Sequence, residues 1–133
     1  MKPTSPEIID LEEKQVAAFN AGNIDKILTF FYPDVVGFSS TRHERIAGLQ
    51  ALRKTFEYYL HEAEKLEYTI SEPTVQVFGD TAILTFYWLV KLVSGAQQQE
   101  VRGRGSHVYA RMDGQWKIVH EHFSRAHHSY ESK

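Results

Sequence analysis

The second half of the chain constrains its fold most strongly, because β-branched and aromatic residues dominate from Leu66 onward. Such residues favour strands. Turn signals interrupt this half at Gly79-Asp80, near Ser94-Gly95 and at Asp113-Gly114, and the runs between them are long enough for strands. We predict four long strands in a meander, over residues 66–77, 81–93, 101–112 and 116–124.

The first half of the chain predicts helices. Ser5 and Pro6 are typical of a helix start and Gly22 of a helix end, so a first helix should cover residues 6–21. Apolar residues at helical spacing predict two further helices, a short one over residues 24–32 and one of roughly four turns over 49–63. Between them we predict a short strand over residues 35–39. Helices at one end of the chain and antiparallel strands at the other predict an α+β fold with three helices packed on one sheet face.

The length and the net charge of the chain indicate its number of domains and the classes of partner to expect. A chain of 133 residues suits a single domain, with a core over about residues 6–124 and a polar tail over 125–133. The 15 Lys and Arg against 17 Asp and Glu give a net charge of −2, which argues against a nucleic-acid partner. The sequence has no apolar leader and no apolar run near the ~20 residues that cross a bilayer. We therefore expect a cytoplasmic protein with no membrane partner.

Three stretches of the sequence carry a resemblance: residues 18–24 (AFNAGNI), 32–34 (YPD) and 113–124 (DGQWKIVHEHFS). They resemble the association domain of calcium/calmodulin-dependent protein kinase II and its bacterial SnoaL-like relatives, in the nuclear-transport-factor-2-like (NTF2-like) superfamily. The resemblance implies a cone, a cystatin-like α+β roll in which a strongly curved, mostly antiparallel sheet wraps round the third helix and leaves a conical pocket. It also implies pairing of two copies through the outer sheet face. Because members of the superfamily have many activities, it implies no single function.

The ketosteroid isomerase relatives offer a test of the enzyme interpretation. Their helix-one tyrosine and their carboxylate base match Gln15 and Ser39 here, and their later carboxylic acid matches Val108 or its neighbour His107. An amide cannot transfer a proton, and a serine hydroxyl is no base at neutral pH without help. The sequence therefore does not predict steroid-type isomerisation.

The final strand carries the remaining ionisable residues. Successive strand residues alternate between faces, so Val119, Glu121 and Phe123 should share one face, with His120 and His122 on the other. The isomerase relatives turn the positions of the first set into the pocket. The resemblance thus implies an inward Glu121 and outward histidines.

The strand pairing before this segment stays open on the residues alone. A two-residue Asp113-Gly114 loop would place His107 opposite His120, whereas a three-residue loop with a bulge at Gly114 would bring His107 beside Glu121. The kinase relative has a pocket arginine at the position of His107, which favours the second arrangement. We predict Glu121 and His107 as a catalytic acid/base pair, with a structural ion pair as the alternative.

The remaining expectations concern ligands. An H-x-H pair without a visible third ligand does not predict a metal site, and we expect no cofactor. The predicted pocket residues are Gln15, Phe19, Ser39, Trp88, Tyr109, Val119 and Phe123.

Two functions follow from these features. The first is binding of a small, mainly apolar organic molecule, with acid/base turnover of isomerase or lyase type. The second is a non-catalytic homo-oligomerisation module, as in the kinase. In either case we expect a homodimer formed by the outer sheet face, where Trp116, Ile118 and His120 would otherwise form an exposed stripe.

Overall fold

The computed structural model describes residues 4–125, which contain three helices and six strands. The predicted polar tail lies outside the described residues except for Arg125. In chain order the elements are α1 (Thr4–Asn20), α2 (Ile24–Leu28), β1 (Phe31–Phe38), β2 (Ile46–Ala47), α3 (Gly48–Leu60), β3 (Lys65–Phe78), β4 (Thr81–Ser94), β5 (Gln97–Met112) and β6 (Gln115–Ser124).

The four-stranded meander is confirmed. The strands β3 to β6 pair antiparallel in chain order, and glycines with positive φ lie at the three turns, Gly79, Gly95 and Gly114. The sheet continues through β1, which pairs parallel with β6, to the short edge strand β2. The structure is therefore the predicted α+β class with a mostly antiparallel, curved sheet.

The second helix is shorter than predicted. It ends at Leu28 instead of residue 32, and the strand predicted from residue 35 already begins at Phe31. The cause is pairing with the last strand: Ile118 donates its backbone N–H to Phe30 O at 2.9 Å, and Phe31 pairs with Ile118. Sheet pairing thus overrides the helical spacing of these apolar residues.

The helices pack on one face of the sheet, which we call the inner face. Asn20 at the end of α1 fixes the position of that helix, because its side-chain amide exchanges two 2.8 Å hydrogen bonds with the backbone of Tyr68 on β3. Phe19 then packs edge-on against Phe56 of α3 and against Tyr68. No helix among residues 4–125 is long and apolar enough to span a membrane.

Two glycines on β5 allow rings of β4 to lie across the inner face. A Cβ atom at Gly105 would come within 2.7 Å of the Phe86 ring, and one at Gly103 would overlap the Trp88 indole. The indole donates from Nε1 to Arg104 O at 3.0 Å, which fixes its orientation. Glycine is therefore required here by close approach of side chains.

A β-bulge in β6 decides which residues face inward. The Asp113-Gly114 turn is a two-residue turn, since Met112 pairs with Gln115, and this register holds to Tyr109 and Ile118. The next pair is Val108 with His120, so Val119 is the extra residue. The predicted pairing of His107 with Glu121 is confirmed, but the bulge that produces it lies five residues beyond Gly114.

The same bulge corrects the predicted outer stripe. Trp116 and Ile118 are buried, at 6% and 0% exposure, because the ladder before the bulge turns them inward. Glu121 and Phe123 face inward as well, because the extra residue changes the alternation by one. The exposed stripe of Trp116, Ile118 and His120 therefore does not exist.

Candidate functional site

A buried polar cluster centred on His107 lies on the inner face. His107 Nδ1 is 2.8 Å from Glu12 Oε1, and its Nε2 is 2.9 Å from Glu121 Oε1. Tyr109 donates its hydroxyl to the same Glu12 oxygen at 2.6 Å. The cluster joins α1, β5 and β6, and the His107, Glu12 and Tyr109 side chains are fully buried.

The charges of this cluster keep His107 protonated. Burial alone lowers the pKa of His107, but the charges and hydrogen bonds of Glu12 and Glu121 outweigh it and raise the pKa to about 10. Both ring nitrogens therefore donate at neutral pH. Burial and the Glu12 charge raise the pKa of Tyr109 far above its ordinary value, so its hydroxyl stays neutral. Two carboxylates around one imidazolium leave the cluster with an excess of one negative charge.

A cavity of about 180 Å³ lies between the inner face and the helices, beside this cluster. Aromatic and aliphatic side chains together form most of its wall, and Glu121 is the only member of the His107 cluster that lines it. Its aromatic wall consists of Phe19, Phe56, Tyr59, Tyr68, Trp88 and Phe123, and its polar or charged lining of Gln15, Ser40, Thr41, Glu62, Gln99, Glu121 and Arg125.

The structure brings most of the predicted pocket residues together. Gln15, Phe19, Trp88 and Phe123 line the cavity with Glu121. Three predicted lining residues and one predicted catalytic residue lie elsewhere, namely Ser39, Tyr109, Val119 and His107.

Each of these four residues has a physical reason for its position. The Ser39 hydroxyl accepts hydrogen bonds from the backbone N–H groups of Thr41 and Arg42, so it stabilises the loop after β1. Tyr109 and His107 are sealed behind the cavity wall by their bonds to Glu12, and the bulge removes Val119 from the inward set.

Sequence reasoning missed Glu12. This carboxylate holds both His107 and Tyr109, yet it was not among the predicted site residues. A signal was present, because Ile8, Glu12, Gln15 and Phe19 recur at helical spacing on the buried side of α1. The sequence therefore contained a signal for Glu12, which is a second polar residue, with Gln15, on the otherwise apolar side of α1.

Three buried polar atoms at or beside the cavity have no hydrogen-bond partner among residues 4–125. They are Gln15 Oε1, the Tyr68 hydroxyl and Glu12 Oε2. Burial, and then the charges of Glu12 and Glu121, raise the pKa of Tyr68 well above its ordinary value, so it keeps its proton. Buried polar atoms without partners are costly, so a partner such as a bound water or ligand would stabilise them.

Metal binding finds no support in the described part of the chain. Between residues 4 and 125 no three His, Asp or Glu side chains converge so that they could hold an ion. Both nitrogens of His107 are engaged with carboxylates. His120 and His122 lie on the outer face, on either side of the inward Glu121, and His127-His128 lies outside the described residues.

The curved sheet, the helices on its inner face and the cavity between them define a cone-shaped fold class. A family model described as "SnoaL-like domain" matches residues 8–128. The chain belongs to the SnoaL-like family.

Several known proteins are similar to this chain in sequence or in structure. The delta subunit of calcium/calmodulin-dependent protein kinase type II from Oryctolagus cuniculus is 28% identical over 93% of this chain, which spans only 24% of the kinase subunit. The S. rosetta CaMKII hub has a TM-score of 0.79 and 26% identity, covering 92% of this chain and 96% of the hub. An NTF2-like protein of unknown function from Pseudomonas putida KT2440 has a TM-score of 0.86 and 23% identity, covering 100% and 94%.

Proposed function

We propose that this protein binds a small, mainly apolar organic molecule in the cavity, with Glu121 as its polar anchor. The observation that carries the proposal is the position of Glu121, a carboxylate that is 5% exposed in a mostly apolar wall. A largely apolar cavity with a few convergent polar groups is typical of small-molecule sites.

Turnover, where it occurs, is a cofactor-independent proton transfer of isomerase or lyase type. Glu121 would act as the general base, since it is the ionisable group of the cluster that reaches the cavity. His107 is a positioning residue: its imidazolium holds Glu121 in one orientation and is itself held by Glu12. In an isomerisation, the Glu121 carboxylate would take a proton from one carbon atom of the substrate and return it to another. In a lyase-type elimination, it would take the proton from carbon while the bond from the neighbouring carbon to the leaving group breaks, and the leaving group would depart with the electron pair of that bond.

Binding can be tested with one-ring aromatic probes. The fluorescence of Trp88, which lines the cavity, should change on binding, and a Trp116→Phe background removes the other tryptophan. Leu92→Trp, which fills the cavity from β4, should abolish binding, measured for this variant and its control by calorimetry because the added indole also fluoresces. The matched control is Leu89→Trp, the same substitution on the outer face of β4, which should leave binding unchanged. No binding by any probe, or unchanged binding in Leu92→Trp, would contradict the proposal.

A second candidate function is self-association, which two observations favour. The outer face exposes apolar side chains, among them Val36 at 38% and Tyr87 at 52%, and the similar S. rosetta protein is a hub. We propose a homodimer through this face. Light scattering should give twice the chain mass, and Tyr87→Glu should return a monomer. Tyr58→Glu, at an equally exposed tyrosine on α3, should not. A monomeric wild type at micromolar concentration would exclude the homodimer.

A further inference from the structure

We infer that the cavity selects a small organic cation, a protonated primary amine attached to about one aromatic ring. The inference rests on the proposed binding function and names the chemical class of its ligand. Three independent features of the cavity support it: its charge, its unpartnered acceptors and its aromatic wall.

The charge at the inner end of the cavity is negative. Glu121 lies in the wall, and behind it His107 neutralises only one of the two carboxylates that it contacts. Glu62 and Arg125 also line the cavity, but both are exposed to solvent and their charges are opposite, so the buried charge at the cavity is that of the His107 cluster. Because Glu121 is almost fully buried, this excess negative charge favours a cation and disfavours an anion.

Two side chains of the cavity wall carry polar atoms that lack a hydrogen-bond partner among the described residues. Gln15 and Tyr68 line the cavity, are 4% and 6% exposed, and carry Oε1 and hydroxyl atoms without partners among residues 4–125. A primary ammonium group has three N–H donors and no acceptor. It can donate to Glu121, to Gln15 Oε1 and to a lone pair of the Tyr68 oxygen, whose own O–H remains a donor.

The wall also suits a cation with an attached ring. Trp88 and Phe123 have ring centroids 6.2 Å apart, and Phe19 and Tyr68 5.2 Å apart, so several aromatic rings border one small space. Such faces attract an organic cation. The volume of about 180 Å³ is slightly larger than the roughly 150 Å³ cavity that accepts benzene. One ring with a short ammonium arm therefore fits.

The test compares three probes of one shape by calorimetry at neutral pH. They are 2-phenylethylamine as its ammonium ion, the neutral 2-phenylethanol, and the anion phenylacetate. The ammonium ion should bind at least about tenfold more tightly than the alcohol, because hydrogen bonds to charged groups are the stronger ones. Phenylacetate should bind more weakly than either.

Other outcomes separate the inference from the function beneath it. Equal or tighter binding of the alcohol or of phenylacetate overturns the cation inference and leaves the binding function intact. Absence of binding by all three probes overturns both.

Two variants locate the charge responsible. Glu121→Gln removes the charge at nearly constant shape and should reduce the preference for the ammonium ion over the alcohol to within about threefold. Glu13→Gln removes the same charge from the exposed side of α1 and should keep the full preference. If Glu121→Gln does not fold, Glu62→Gln at the same cavity replaces it in the test. The preference for the ammonium ion over the alcohol should then decrease by less. A preference unchanged by removal of the lining charge overturns the inference.

Discussion

The sealed cluster centred on His107 and the cavity beside it differ in what their polar side chains contact. In the cluster, His107 uses both ring nitrogens and is fully buried. In the cavity wall, Gln15 and Tyr68 are almost as buried but keep atoms without partners among residues 4–125. Glu121 belongs to both regions. The comparison shows that burial and a perturbed pKa do not by themselves mark the reactive group, since access to the cavity must be added.

The largest effect is expected where the sealed cluster is broken. His107→Leu leaves Glu12 and Glu121 facing each other without the intervening cation, so the free energy of unfolding should fall by about 3–5 kcal/mol. Urea unfolding measures it. His120→Leu, the same change on the outer face, should shift it by less than about 0.5 kcal/mol. Equal effects of the two substitutions would mean that the cluster does not stabilise the fold.

A smaller loss should follow deprotonation of the intact cluster. The folded-state pKa of His107 is raised from 6.5 to about 10, so its contribution to stability is fully present below pH 6.5 and is lost as pH rises through about 10. The loss should be smaller than that of His107→Leu, because neutral imidazole keeps one N–H donor. Urea midpoints across this range, with NMR of the imidazole, measure it. An imidazole that titrates near 6.5 would contradict the expectation.

The junction between the two regions should tolerate little added volume. A Cβ atom at Gly37 of β1 would overlap the backbone carbonyl oxygen of Glu121 and lie 2.9 Å from Cγ of the Glu121 side chain. Gly37→Ala should therefore cost about 1–3 kcal/mol and displace the Glu121 side chain, with loss of ligand binding. Val36→Ala, next to it on the outer face, is the control for the binding loss. Normal stability and binding in Gly37→Ala would show that β1 yields without moving Glu121.

The smallest change in stability is expected for Glu121→Gln. The remaining Glu12 and His107 form a neutral pair, and the new amide can still hydrogen-bond with the ring, so stability should change by about 1 kcal/mol or less. The pKa of His107 should nevertheless decrease, because one of its two carboxylate partners is gone. NMR titration of His107 in both proteins measures this decrease. An unchanged pKa of His107 would contradict the proposed electrostatic interaction between His107 and Glu121.

Local signals made much of the fold predictable. Gly79, Gly95 and Gly114 mark the three turns of the meander, and the positive φ at Gly22 follows the end of α1. Glu121 and Phe123 were correctly turned inward through the resemblance. The length of α2 was not predictable from spacing, because pairing of β1 with the last strand of the chain decides it.

The candidate site was predictable only in part, for two physical reasons. The bulge at Val119 has no marking residue type, so strict alternation placed Trp116 and Ile118 on the wrong face. Glu12 was missed because a carboxylate on a helix is usually solvated. Its burial is made favourable by the distant His107 and Tyr109, 95 and 97 positions along the chain.

The bulge at Val119 also has a consequence for how β6 tolerates changes in length. The strand contains one residue more than its ladder with β5 needs, and the pairs on either side of Val119 are regular. Deletion of Val119 would close the ladder with Ile118, Glu121 and Phe123 still facing inward. A one-residue deletion within residues 115–117 would use the same spare position and leave Glu121 in place, but Val119 would then take the inward place of Ile118 opposite Tyr109. The strand β6 can therefore lose one residue before Glu121 while that carboxylate stays inward, although a change in strand length ordinarily turns every later side chain to the other face.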